Sequence, residues 1–421
     1  MSRPGFSPEI PRERLVETAL DLVAFDTSNP PGDTRKIVDW IESALTDLGL
    51  DTQRVATDPT KPNLLATLPG EGTTTLLYSG HLDTVPYDQD GWSYDPLGER
   101  VGERLYGRGT TDMKGGVAAM IELARAYTVA DRRPPLTLEF AFVSDEEVAG
   151  EAGLQAVLDA GRLVADACVV GEPTGTLDTP SITVADKGSL WLTLEATGDA
   201  AHGSRPMRGT NAIDVLWEAL ETIRDRLRDY PLTVPDAVDP ILEESVDYYS
   251  TSMNEAVARR LFDRPTVNLG TIDGGETINS VPRFARAELD VRLPPGVETN
   301  AVLGDVRKWL QGHAATSIAD VSWSIGTYER PKSPLVDATT AAATTVLDGQ
   351  IHRRSATGGG DAKRLRNACI PTVEFAIGSD TVHACDEYTT VEALEATAAV
   401  YARLPNALTD RHVDEPRPQI E

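Results

Sequence analysis

Residues 75–86 read TLLYSGHLDTVP: a short apolar run, Thr75 to Tyr78, breaks into Gly80, His81 and Asp83 before Pro86. An apolar run of this length, closed by turn residues, reads as a buried strand. The pattern recurs along the first part of the chain. Leu136 to Val143 gives way to SDEEVAGEAG (Ser144 to Gly153), and Ala167 to Val170 gives way to GEPTG (Gly171 to Gly175). Helix-like stretches separate the runs, among them Gly116 to Ala130, while Leu15 to Val23 carries apolar residues at helical spacing. Strand and helix in alternation predict an α/β domain on a mainly parallel sheet.

After Pro180 the pattern changes. A strand-like SLWLTLEATG (Ser189 to Gly198) precedes a helix-like NAIDVLWEALETIRDRL (Asn211 to Leu227). Two strands, PTVNLGTI and RAELDVRLPP, a helix, NAVLGDVRKWLQ, and a last strand near DVSWSIGTYE follow. That order, β-α-β-β-α-β, is a self-contained ferredoxin-like α+β unit. From Lys332 the chain returns to helix (Ala338 to Leu347) and an apolar strand (Thr372 to Ile377). The simplest partition is a larger domain made of residues 1–181 and 332–412, a smaller domain inserted at 182–331, and a frayed tail at 413–421. The acidic stretch from Arg228 to Arg264 is an insertion within the smaller domain, and no internal repeat is present.

Composition narrows the function classes. With 421 residues, 40% hydrophobic and 25% charged, the chain can bury a large core, and at about 150 residues per domain it suggests two or three domains. Lys plus Arg is 39 against 66 Asp plus Glu, so 39 − 66 = −27, a surface that repels phosphate backbones and argues against nucleic acid as a partner. Lysine is confined to positions 36, 61, 114, 187, 308, 332 and 363. Acid excess with scarce lysine suggests a halophilic host, where salt screens the self-repulsion; an acidic protein of ordinary cytosol is the blander reading. Cys168, Cys369 and Cys385 are too few and scattered for a disulfide framework, which points to a reducing interior. With no apolar segment at the start and no long uncharged run, a cytoplasmic protein without a membrane span is expected.

The chemistry concentrates in five polar motifs near the ends of predicted strands: GHLDTVP, YGRGTTDMKGG (Tyr106 to Gly116), SDEEVAGEAG, GEPTG and VHACDE (Val382 to Glu387). Carboxyl ends of strands in an open α/β sheet face one crevice. His81, Asp83, Asp112, Glu146, Glu147, Glu172 and His383 would therefore converge. So many carboxylates repel one another unless cations neutralise them. Imidazole with carboxylate suits two divalent ions of the Zn, Co or Mn type rather than Mg or Ca. His81 and Asp83, two apart on an extended strand end, point to one face, so Asp83 reads as the carboxylate that fixes the His81 tautomer. Each motif is weak alone: HxD is commonly a packing pair, adjacent acids are commonly a solvated turn, and TGGGDAK (Thr357 to Lys363) lacks the spacing of a phosphate loop. Five in order after five strands make coincidence a poor account.

On GHLDTVP, GRGTTDMKGG, DEE and GEPT the chain resembles the co-catalytic metallopeptidase and amidohydrolase family of acetylornithine deacetylase, succinyl-diaminopimelate desuccinylase, aminoacylase and the glutamate-releasing carboxypeptidases. The resemblance spans nearly the whole chain, the inserted domain included. It implies that Asp112 bridges two metals, that His81 and Glu172 complete one site and Glu147 and His383 the other, and that Glu146 is the general base. AHGSRPMRGTNAI resembles the segment with a substrate-contacting histidine, here His202; GGETINSVP supplies Asn279 and LDVR supplies Arg292 for the substrate's polar end. Lys363 stands where the family often has Arg, a point charge in place of a bidentate fork.

The expected reaction is amide hydrolysis: metals polarise the carbonyl and acidify water, Glu146 moves the proton, and His202 with one metal stabilises the oxyanion. Deacylation of an N-acyl amino acid by a homodimer joined through the inserted domain is the leading reading. A dipeptidase or carboxypeptidase with the same site is the alternative, and a catalytically silent binding protein is disfavoured by the full set of site residues. His202 as a buried structural histidine is the bland alternative for that residue. His313, His352 and His412 match no motif and read as surface residues.

Overall fold

The computed structural model describes residues 5–148 and 150–409; the tail anticipated at 413–421, and His412, lie outside them. Two compact units divide the chain. The first runs to Val184 and resumes at Glu329–Arg354 and from Gly360; the second comprises Ala185–Tyr328 and Ser355–Gly359.

The first unit is built on an eight-stranded sheet. Its order is Asp51–Val55, Asn63–Leu68, Thr137–Val143, Thr75–His81, Ala167–Val170, Thr372–Glu374, Ser181–Ala185, His352–Ser355. The four strands from Thr137–Val143 to Thr372–Glu374 are mutually parallel, and antiparallel neighbours flank them. The register sets His81 beside Val143 and Ser79 beside Val170, so three motifs leave the sheet at the same edge. Leu77, Val143, Cys168 and Val170 pack on one face against helices Leu154–Asp159 and Asp361–Asn367. Tyr78 and Phe140 face the other way, and Tyr78 lies 5.0 Å, ring to ring, from Tyr401 of helix Val391–Thr409. Each such side chain contributes roughly 1.5–3 kcal/mol by leaving water.

Helix Lys114–Val129 is small or apolar on nearly every side and is correspondingly buried. Its two inward charges have partners: Lys114 Nζ donates to the Phe25 carbonyl at 2.8 Å, and Glu122 accepts from the Thr18 hydroxyl at 2.7 Å. Gly116 is required by contact rather than by φ, since a Cβ there would lie 2.6 Å from the Gly171 carbonyl oxygen. The helix that follows Asp112 is thereby seated directly against the loop of Glu172.

The second unit is a four-stranded antiparallel sheet ordered Thr266–Gly274, Phe284–Leu293, Gly188–Thr197, Thr316–Ser324, with helices Ala212–Arg228 and Thr299–Leu310 against one face. Period-two burial of Leu190, Leu192, Leu194 and Ala196 marks that face. The acidic stretch after Arg228 forms helices Asp239–Tyr249 and Glu255–Arg260 around Val246, Ala258 and Phe262.

Three boundaries differ from the sequence reading. The last strand of the small sheet begins at Thr316, because a register shift between Ile318 and Asp320 breaks its alternation. The helix expected from Ala338 starts at Pro334, where Ser333 Oγ accepts the Val336 N–H at 3.3 Å. The strand from Thr372 ends at Glu374. His313 and His352 are half-buried rather than on the surface. His313 Nε2 lies 3.0 Å from the Thr222 hydroxyl, and His352 opens a strand of the large sheet. Among the described residues, no helix is long and apolar enough to cross a membrane.

Candidate active site

His81 closes its strand with Nδ1 2.9 Å from the Asp83 main-chain oxygen, which makes Nδ1 the N–H nitrogen and turns Nε2 inward. Nε2 sits 3.1 Å from Asp112 Oδ1 and 3.4 Å from Glu172 Oε1. The other Asp112 oxygen, Oδ2, is 3.1 Å from His383 Nε2, which is 3.2 Å from Glu147 Oε2. One carboxylate thus faces two imidazoles, and each imidazole has a second carboxylate beside it. Ligand-capable atoms of His81, Glu146 and Glu172 lie within 4.8 Å of one another, as do those of His81, Asp112 and Glu147.

The structure corrects the part expected of Asp83. Its carbonyl, not its carboxylate, orients His81; the carboxylate Oδ1 is 3.7 Å from Nδ1. The strand ends at His81, so strict alternation stops before Asp83. The carboxylate instead accepts the N–H groups of Glu146 at 3.1 Å and Glu147 at 3.2 Å, and so holds the acidic turn. Asn29, from a TSNPPG segment that sequence reasoning passed over, donates to Asp83 at 2.8 Å and to Asp145 at 3.0 Å. Lys61 pairs with Asp145, which stands at φ 63°. The first acid of DEE is therefore structural.

Asp112 does not follow a strand of the large sheet as expected. It comes from the loop between Arg104–Tyr106, a strand of a separate three-stranded sheet, and helix Lys114–Val129; the Asp112–Met113 peptide bond is cis. His383 lies in the loop before Tyr388–Thr390 of that same small sheet, at φ 62°. Glu387, also passed over, accepts three main-chain N–H groups of the Asp112 loop.

Lys363 is half-buried in helix Asp361–Asn367. The part of TGGGDAK that touches the site is Gly360, where a Cβ would stand 2.7 Å from Glu146 Oε1. Buried Asp361 is pushed up to about 6 by desolvation.

Electrostatics follow from crowding. Burial pushes Glu172 up to about 8, with Asp112 adding repulsion, and burial also pushes Glu146 well up. Asp112 goes the other way: burial opposes its charge, but bonds from His383 and His81 hold it well below the carboxylate range. His383 is pushed up to about 10 by its bonds to Asp112 and Glu147, and His81 is raised by Glu172 and Asp112 against the pull of burial. A divalent cation binding such donors would displace the protons that these imidazole–carboxylate pairs otherwise hold. The donor set, imidazole nitrogen and carboxylate oxygen without thiolate, fits ions of the zinc, cobalt and manganese group.

In the second unit, His202 and Asn279 come together: His202 bridges to Ser280, and the Gly203 N–H donates to the Asn279 carbonyl at 2.7 Å. His202 is exposed, which sets aside the buried structural role. The Ser204 N–H donates to its Nδ1 at 3.2 Å, leaving Nε2–H to donate outward. Arg292 lies elsewhere, at the far end of the strand that begins at Phe284. It donates to Asp290 at 2.7 Å and stacks over Trp191 at 5.7 Å.

Residues 77–407 match Peptidase family M20/M25/M40. The chain belongs to this family. Along nearly its whole length the M20 chain is similar to acetylornithine deacetylase of Edwardsiella ictaluri, 31% identical over 401 residues that cover 90% of this chain and 91% of that one. It is also similar to succinyl-diaminopimelate desuccinylase of Sphingopyxis alaskensis, 29% identical over 398 residues covering 92% and 96%. Among solved structures, the M20 metallo-carboxypeptidase Sso-CP2 of Sulfolobus solfataricus superposes with a TM-score of 0.77 at 18% identity, covering 93% of this chain and 99% of that one. The Bacillus subtilis YXEP protein, a dinuclear metal binding peptidase of the family, gives 0.65 at 18% identity, covering 95% and 98%. The chain is an M20 metallo-amidohydrolase.

Proposed function

We propose that the protein deacylates an N-acyl amino acid, in the manner of acetylornithine deacetylase or succinyl-diaminopimelate desuccinylase, as a cytoplasmic enzyme of amino-acid biosynthesis. The observation that carries the reading is Asp112, whose two oxygens each stand 3.1 Å from a different imidazole. His81 and Glu172 would hold one divalent cation, Glu147 and His383 the other, and Asp112 both. The ions belong to the zinc, cobalt or manganese group. When bound, they polarise the amide carbonyl and acidify the attacking water.

Glu146 takes the proton from the water and returns it to the leaving amine. Its burial raises its basicity, and the Asp83 carboxylate holds its main chain in place. His202 donates from Nε2 to the oxygen on which negative charge develops. Asn279, Arg292 and Lys363 are the candidate contacts for the substrate's polar end.

The second unit supports a shared site. From Phe284, at the His202 and Asn279 end, to Arg292 is eight residues of strand, about 26 Å, longer than an N-acyl amino acid. That separation favours a site in which His202 and Arg292 come from different copies. We read the protein as a homodimer through its second unit, with each site drawing the two groups from different copies.

A hydrolysis panel tests the function: N-acetyl and N-succinyl amino acids against dipeptides, with added Co²⁺ or Zn²⁺, at molar salt in view of the −27 charge. Acyl amino acids should be cleaved faster, and chelator should abolish turnover. Faster cleavage of dipeptides would move the assignment to an exopeptidase, and turnover indifferent to chelator would end the two-metal reading.

A further inference from the structure

The chemistry above makes no use of Arg108. Arg108 and Glu387 are 5% and 0% exposed, and Arg108 Nη1 donates to Glu387 Oε2 at 2.6 Å. Glu387 Oε1 accepts the N–H groups of Gly109 at 3.1 Å, Thr111 at 3.0 Å and Asp112 at 3.1 Å. The Gly107 N–H reaches the Glu387 carbonyl at 2.9 Å, which fixes the other end of the same loop. Arg108 Nη2 donates to the His383 main-chain oxygen at 3.3 Å, and its guanidinium lies 5.3 Å from the centre of the Trp92 ring. One buried ion pair therefore grips the main chain of both Asp112 and His383, the two residues whose side chains meet at 3.1 Å.

Stability alone is a poor reason for such a pair, because a well-packed apolar replacement of a buried ion pair is often as stable or more so. Geometry is a better one. His383 stands at φ 62°, a region that a residue with a Cβ occupies only when its surroundings hold it there. Three N–H groups converging on one oxygen likewise fix the loop that carries Asp112 between strand Arg104–Tyr106 and helix Lys114–Val129. Thr111 adds a bond from its hydroxyl to the Tyr388 carbonyl at 2.6 Å, so the two loops are tied on both sides of Glu387.

We infer that Arg108 and Glu387 are positioning residues that set Asp112 against His383 and thereby the affinity for the cation these two would share. The inference rests on the ligand assignment made above. Loss of the partners that orient metal ligands costs about 10- to 100-fold in metal affinity. A loss in that range is expected when the three N–H groups lose their common acceptor.

The test uses the full-length apo protein and Co²⁺ alone, with binding followed by competitive dialysis and by the visible absorption of the bound ion. Arg108→Met/Glu387→Leu replaces the pair by apolar side chains. Because it also leaves the Gly109, Thr111 and Asp112 N–H groups without their acceptor, it should unfold below the wild-type temperature, and it should bind its second Co²⁺ at least about tenfold more weakly, with an altered spectrum. Arg108→Met/Glu387→Gln keeps an acceptor for the three N–H groups but not the Arg108 bond to the His383 carbonyl, so it should regain most of the affinity lost by the leucine variant and stay about threefold below wild type. If the leucine variant does not fold, Arg108→Met/Glu387→Asn, one methylene shorter, should lose what glutamine keeps. A folded leucine or asparagine variant with wild-type affinity and spectrum overturns the inference, and so does a glutamine variant as weak as the others. Wild-type protein that takes up no Co²⁺ would instead overturn the ligand assignment itself.

Discussion

Replacing Gly360 by alanine should disable the general base without disturbing the metals. Gly360 has φ −143°, so alanine meets no left-handed strain there. The new Cβ would lie 2.7 Å from Glu146 Oε1, whereas ordinary contact begins at 3.4 Å, so the carboxylate must retreat by 3.4 − 2.7 = 0.7 Å. The neighbour is the tip of a flexible side chain, so the fold yields cheaply and the cost falls on catalysis. A misplacement of about 1 Å can cost about 10²-fold, so kcat should fall by about 10- to 100-fold, about 1.4–2.7 kcal/mol of barrier. Gly360 also caps helix Asp361–Asn367, where alanine is the poorer residue by up to about 1 kcal/mol, so a slight drop in melting temperature is expected. Gly358→Ala is the control, because a Cβ there meets nothing within 4 Å. The measurements are kcat and KM on the best acyl substrate, metal content, and thermal unfolding. Wild-type kcat in Gly360→Ala, or a loss of activity that tracks a loss of metal, would refute the reasoning.

Glu146→Gln should retain both cations and lose at least about 10²-fold in kcat; metal loss, or near-normal turnover, would remove it from the base role. Asp112→Ala should lose both cations together while His383→Ala loses chiefly one, as measured by metal content after dialysis; equal losses would count against bridging. Burial, with Arg292 adding repulsion, pushes Lys187 from 10.5 down to about 8. Between those values the unfolded chain binds more protons than the folded one, so stability should rise with pH across that window by about 3 kcal/mol. In denaturant titrations Lys187→Met should flatten that part of the rise, and an unchanged slope would show that Lys187 does not titrate there. His202→Ala and Glu146→Ala, each nearly inactive, should complement when refolded together: half the dimers are mixed with one intact site of two, so roughly a quarter of wild-type activity returns. No recovery despite verified subunit exchange would place His202 in service of its own chain.

Much of this architecture was legible in the sequence because its signals are local. Apolar runs ending in polar motifs marked the parallel strands, and the switch of pattern after Pro180 marked the smaller sheet. Convergence of His81, Glu147 and Glu172 followed from strand ends sharing one edge. What the sequence hid depends on contacts between distant loops. Asp112 and His383 belong to loops of a three-stranded sheet whose strands have three residues each, too short for any periodicity. Arg108 and Glu387 act largely through main-chain groups, and a residue that bonds a backbone leaves no partner type to look for; Asn29 bonds the carboxylates of Asp83 and Asp145, which lie far from it in sequence. GRG and DE were already quoted as parts of motifs, and an Arg and a Glu buried beside chemistry-bearing residues was the only available hint. Asp83 shows the converse: its type and spacing were read correctly, but the bond to His81 is made by its carbonyl.

The insertion of one unit within the other orders events during synthesis. His81, Asp112, Glu147 and Glu172 all precede Ala185, but Thr372–Glu374, which completes the parallel core, and His383 emerge only after the whole segment to Tyr328. A nascent chain therefore carries four of the converging groups through the production of an entire second fold, with a gap in its sheet where Thr372–Glu374 belongs beside Ala167–Val170. Domains fold as units as they leave the ribosome. The smaller unit can finish first, while the exposed edge at Ala167–Val170 waits for its neighbour. On the ligand assignment proposed above, capture of metal through both halves of the site would be among the last steps of maturation and would report that the two ends of the chain have met.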